Sequence, residues 1–112
     1  MIDANAINQI FATYERHGWI LRRVLLSADL KENLGAAASA LFGEIKVIDS
    51  GFDAAWFSRP PKSGGVAWEI RYLGNTPFAL LENLDEEAAD FDGSLRSVET
   101  RLRETVTAKE SA

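Results

Sequence analysis

The stretch from Phe52 to Tyr72 constrains the fold more than any other part of this chain, because its two halves read as complementary arms of one antiparallel hairpin. Folding the arms about Lys62 sets Trp56 opposite Trp68, Ala54 opposite Ile70 and Phe52 opposite Tyr72. The other face then pairs Asp53 with Arg71, Ala55 with Glu69 and Phe57 with Ala67. Such a register gathers four aromatic rings on one face and an opposite-charge pair on the other. The connection Arg59-Pro60-Pro61-Lys62-Ser63-Gly64-Gly65 suits a long hairpin tip, where proline stops strand pairing and glycine permits the turn.

Around this hairpin the sequence predicts helix, strand, helix and a short strand before it, and strand and helix after it. Residues 3 to 17 carry Ile7, Ile10, Phe11 and Tyr14 at helical spacing, with Asp3 or Asn5 to cap the start and Gly18 to end it. Trp19 to Leu26 reads as a strand whose Arg22 and Arg23 point to opposite faces. Asp29-Leu30-Lys31-Glu32 has the capping-box arrangement and opens a helix that Gly43 closes. Glu44 to Ile48 is a short strand, and Asp49-Ser50-Gly51 a turn before the hairpin.

After the turn Gly74-Asn75-Thr76-Pro77, the segment Phe78 to Leu84 is apolar on both faces. Phe78, Leu80 and Leu84 serve one side, Ala79 and Leu81 the other, and such a strand is expected to be central or covered by a helix. The last helix is expected from Glu86 to Val106 on the stripe Phe91, Leu95, Val98, Leu102 and Val106, with Asp85 as its cap and Glu99 supporting Arg103 four residues on. Residues 107 to 112 are polar and expected to form a disordered tail.

The expected fold is therefore α+β: a mainly antiparallel sheet of four to five strands in the order α-β-α-β-β-β-α, two-layered against two or three helices. An early strand-helix-strand crossover adds a parallel pair. At 112 residues, 46% of them hydrophobic and 26% charged, the chain has the size and composition of one domain, placed at residues 1 to 106.

The same composition narrows the chemistry. With no cysteine, disulfides, thiolate metal sites and cysteine catalysis are excluded. A net charge of −5 disfavours nucleic-acid binding, although Arg16, His17, Arg22 and Arg23 interleave with Trp19. The one histidine, His17, is explained by its place at a helix C-terminus, where a cation suits the dipole. No nucleophile elbow, phosphate-binding loop or calcium-loop pattern is present, and the acidic group Asp85, Glu86, Glu87, Asp90 and Asp92 reads as a helix start. No catalytic, cofactor or metal residue is assigned. The N-terminal residues show no cationic region before an apolar run, and no apolar run approaches bilayer length, so the expectation is a cytoplasmic protein without membrane contact.

Two candidate sites follow. Arg59, Pro60, Pro61 and Lys62 form a stiff, positive hairpin tip suited to a protein partner. Phe52, Trp56, Trp68 and Tyr72 form a face that is either core or a small-molecule pocket. The functional expectation is a protein-interaction or assembly module, a homodimer through a strand edge or the last helix included, with small-molecule binding on the aromatic face as the alternative.

Overall fold

A computed structural model describes residues 1–60 and 66–111. In chain order it contains α1 (Ala4–Arg16), β1 (Ile20–Leu26), α2 (Ala28–Leu34), α3 (Ala37–Phe42), β2 (Lys46–Asp49), β3 (Ala54–Arg59), β4 (Val66–Tyr72), β5 (Ala79–Leu84) and α4 (Phe91–Ser111). One five-stranded sheet has the order β2-β1-β3-β4-β5; β1 and β2 are parallel and the remaining pairs antiparallel. The α+β class, the mainly antiparallel sheet and the hairpin are as the sequence predicts. Among the described residues no helix is long and apolar enough to cross a membrane.

The layering differs from the two-layer expectation, because helices lie on both sides of the sheet. β3 explains why: its residues Ala54 to Ser58 are all buried, so both of its faces are covered. Phe57 and Ala55 point into a core with Val24, Leu26, Ile7 and Leu30, under α1, α2 and α3. Trp56 and Ala54 point into a second core with Trp68, Ile70, Leu95, Val98, Leu102 and Val106, under α4.

The hairpin register is shifted by two residues from the one centred on Lys62. Trp56 pairs with Ile70, Ala54 with Tyr72, Ser58 with Trp68 and Ala55 with Arg71. A shift of two preserves which face each side chain occupies, so the aromatic set survives. Trp56 and Trp68 now meet diagonally, edge to face with centroids 6.0 Å apart, the arrangement aromatic quadrupoles favour. Phe52, just before the strand, stacks on Tyr72 at 5.1 Å. Asp53 does not meet Arg71. Its carboxylate instead accepts hydrogen bonds from the Ser27 backbone N–H at 2.6 Å and the Ser27 hydroxyl at 3.1 Å.

That contact also corrects the second helix. Ser27, not Asp29, is its cap, with Oγ accepting from the Leu30 N–H at 3.2 Å, so the helix begins directly after β1. Gly35, at φ 52°, then divides the expected single helix into α2 and α3.

β1 carries a bulge. Leu21 pairs with Phe57 and Arg23 with Trp56, leaving Arg22 as the extra residue. An inserted residue breaks the alternation of faces, so Arg22 and Arg23 both reach the α4 side and not opposite sides. At the chain's end α4 starts at Phe91 and continues through Ser111, past the last stripe residue Val106. Asp85 caps a turn, accepting from the Glu87 N–H at 2.9 Å, and does not start the helix.

Asp53 holds the start of α2 against the end of β4, since its own carbonyl accepts from the Leu73 N–H at 2.9 Å. Asp53→Ala leaves the Ser27 N–H and hydroxyl without that acceptor and is expected to lower stability by about 1–3 kcal/mol in urea unfolding. A loss below ~0.5 kcal/mol would show that water replaces the carboxylate without penalty.

Candidate functional site

The sheet is covered unevenly. α4 spans the face that carries Trp56, Trp68 and Ile70 and reaches β5, where Phe78, Leu80 and Leu84 join its core. On the other face α1, α2 and α3 sit over β1 and β3, and α1 reaches only as far as β4. There the Tyr14 hydroxyl donates to the Glu69 carboxylate, and the Tyr14 ring stacks on Phe57 at 4.0 Å. Beyond Glu69 no described helix covers that face. Ala79, Leu81 and Asn83 of β5 are exposed, Leu81 by 61%. The covered, both-sides-apolar position expected for this strand is therefore corrected: β5 is an edge, and its second apolar side faces out.

The backbone of β5 is equally open. The Tyr72 N–H donates to the Phe78 carbonyl at 2.8 Å, and these two residues extend the β4–β5 register directly opposite one another. In an antiparallel pair, hydrogen-bonded residues alternate. Phe78, Leu80, Glu82 and Leu84 thus turn their amides towards β4, and Ala79, Leu81 and Asn83 turn theirs outward. The opposite edge, β2, is built differently. It has four residues, the first and last of them the charged Lys46 and Asp49, and Asp49 pairs with Lys31 at 3.3 Å. Shortness and charge are the usual protections of a sheet edge. β5 has six residues and one charged side chain, Glu82, which lies on the α4 face and pairs with Arg101. Among the described residues nothing protects its outward-facing side.

Beside this face, an open cleft of about 630 Å³ separates α1 from the end of β4. Ile2, Ile10, Gln9, Thr13, Tyr14, Arg71 and Asn75 line it. Among the described residues Arg71 has no carboxylate within ion-pair distance; its guanidinium donates to the Tyr72 carbonyl. Burial, reinforced by the hydrogen bond to Glu69, pushes the Tyr14 hydroxyl well above its usual pKa, so it remains a donor throughout the neutral range.

The residues singled out from the sequence lie elsewhere. Arg59 is engaged, with its guanidinium over the Trp19 ring at 4.8 Å and donating to the His17 carbonyl at 3.4 Å. Pro60 is exposed, while Pro61 and Lys62 lie outside the described residues. Phe52, Trp56 and Trp68 are buried beneath α4, and Tyr72 is half-buried at its margin. The cluster of Arg16, His17, Arg22 and Arg23 does not assemble. His17 closes α1, whereas Arg22 sits over the Trp68 ring at 5.1 Å and donates to buried Ser58 at 3.0 Å. Arg23 binds Asp92 at 3.1 Å. Among the described residues no group of three or more His, Asp or Glu side chains could hold a metal ion.

The sequence reading allows a strand edge as an interface without naming the strand; the signal for β5 is the second apolar face of Ala79 and Leu81. No protein-family model matches the chain, and no curated protein or solved structure matches it.

Glu99 turns inward from α4 and does not pair with Arg103. It accepts from the Trp56 indole N–H at 2.7 Å and lies 3.9 Å from Arg23. Burial raises its carboxyl above the ordinary 4.5, against the opposing pull of Trp56 and Arg23. A carboxyl raised in the folded state adds stability below its unfolded pKa and loses that contribution as pH rises through the folded value. Glu99→Gln keeps an acceptor for Trp56 and is expected to gain stability relative to wild type as pH climbs from about 4 to 7. Urea titrations at intermediate pH values read the difference directly, and a flat difference would mean that Arg23 and Trp56 fully offset the burial.

Proposed function

We propose that this chain is a protein-interaction and assembly module whose docking element is the free edge of β5. The observation that carries this reading is the exposed side of that strand: amides at Ala79, Leu81 and Asn83 that turn away from β4 beside an exposed leucine, on an edge without protecting charge among the described residues. An extended segment added there would form main-chain hydrogen bonds to those amides while covering Leu81 and Ala79. Glu69 and Arg71, on the neighbouring strand and the same face, supply a charge of each sign to select among such segments.

Leu81→Lys tests this reading, because a lysine on a free edge opposes strand addition. Leu81 is exposed, so the melting temperature is expected to stay within a few degrees of wild type. Association measured by light scattering, or retention of a strand-donating partner, is expected to fall at least tenfold. Val47→Lys, on the β2 edge, is expected to leave both unchanged. Association that survives Leu81→Lys rules out β5 as the docking element.

A second reading, small-molecule binding, is supported by the cleft beside Arg71 and not by the aromatic face, which α4 fills. Arg71 with Gln9, Thr13 and Asn75 would receive a small carboxylate or phosphate, with Ile2 and Ile10 against its apolar part. A thermal-shift series of such anions is expected to stabilise wild type and not Arg71→Ala. No shift with any of them removes this reading.

A further inference from the structure

We propose that the strand docking on β5 is β5 of a second copy of the chain, antiparallel to the first, with Leu81 on the two-fold axis. This inference rests on the reading of β5 as the docking edge and adds the occupant and its register.

The hydrogen-bond parity of the strand selects the register. A closed two-fold dimer brings identical edges together antiparallel. Only Ala79, Leu81 and Asn83 offer outward amides, so each must face another of the three. With Leu81 opposite Leu81, Ala79 faces Asn83 of the second copy and Asn83 faces its Ala79. Every outward amide then has a partner. Sliding by one residue sets outward groups against inward-bonded ones, and the ladder disappears.

Sliding by two residues fails in both directions. One direction places Glu82 directly opposite Glu82, at a closely spaced non-hydrogen-bonded position where like charges repel. The other brings Asn83 opposite Pro77, which has no N–H to give. Only the register centred on Leu81 avoids both defects.

Side chains agree with this choice. Leu81, 61% exposed in the single chain, packs beside its own counterpart on the same face. On the α4 side Glu82, held by Arg101, lies beside Leu80 of the second copy, and Phe78 lies beside Leu84. The contact is small for a permanent dimer, so association at micromolar concentration is expected.

The chain has no cysteine, which permits a clean test of register. Leu81→Cys places one thiol on the axis, and hydrogen-bonded antiparallel partners about 5.5 Å apart at Cα are within disulfide range. Mild oxidation is expected to convert most of this variant to a covalent dimer of twice 12.3 kDa. Ala79→Cys and Asn83→Cys, each alone, are expected to remain largely monomeric, since neither faces itself. Sedimentation of wild type is expected to show a reversible dimer that Leu81→Pro weakens; this change deletes an outward N–H and leaves the β4 ladder intact.

A wild type that stays monomeric to high micromolar concentration, with no cross-link at Leu81→Cys, overturns self-pairing. The broader β5 reading then stands only if a partner held by wild type is lost in Leu81→Lys, and otherwise falls as well. A dimer that cross-links through Ala79→Cys or Asn83→Cys alone overturns the register. A dimer indifferent to Leu81→Lys overturns both the register and the edge.

Discussion

Both cores of this protein are built on β3, and the simultaneous burial of its two faces is the constraint on which the rest depends. Successive side chains alternate sides, so Trp56 and Phe57 deliver the two largest fully buried rings in opposite directions from adjacent positions. Phe57 receives Phe11 edge to face at 5.7 Å and Tyr14 in a stack, which seats α1. Trp56 receives the α4 stripe and directs its N–H to Glu99. Were β3 an edge strand, neither helix layer would have a platform. Its central position follows from being paired with β1 on one side and β4 on the other.

The bulge at Arg22 solves the electrostatic problem that this arrangement creates. A regular strand would drive one arginine into the Phe57 core, where an unpaired charge carries a desolvation cost of several kcal/mol. With one extra residue both guanidinium groups emerge under α4, among Glu86, Asp92 and Glu99. Two neighbouring buried polar atoms gain partners there, since Ser58 accepts from Arg22 and the Trp56 N–H meets Glu99, while the buried Trp68 indole N–H has no partner among the described residues. Burial holds the Glu99 carboxyl above its ordinary value against the Trp56 hydrogen bond and the Arg23 charge.

The limits of the sequence reading have physical causes. Helical stripes, glycine ends and the face assignment of the hairpin were legible because each is fixed by a local period or by parity. A two-residue slip leaves parity intact, so sequence pattern alone could not distinguish Trp56 opposite Trp68 from Trp56 opposite Ile70. The choice depends on how bulky indoles interlock and on Asp53 being taken by Ser27, both tertiary facts. The bulge was illegible for a related reason: Arg22-Arg23 looks the same whether or not the ladder slips between them. The start of α4 was misplaced because Asp85 and the acids after it resemble a helix cap, while the apolar stripe itself begins at Phe91.

β5 differs in kind, since its apolar pattern calls for cover on both faces and the chain provides it on one. α1 cannot slide outward to cover Leu81, because its position is fixed by the stack on Phe57 and by the Tyr14–Glu69 hydrogen bond. Its thirteen residues are anchored over the centre of the sheet. The uncovered side of β5 is thus a consequence of the rigid packing at β3, and it is presented on a strand whose other side is fastened by α4. A surface held in this way would lose little conformational freedom if the proposed strand were added to it. The same burial of β3 that makes the fold stable therefore also leaves the outward side of β5 exposed.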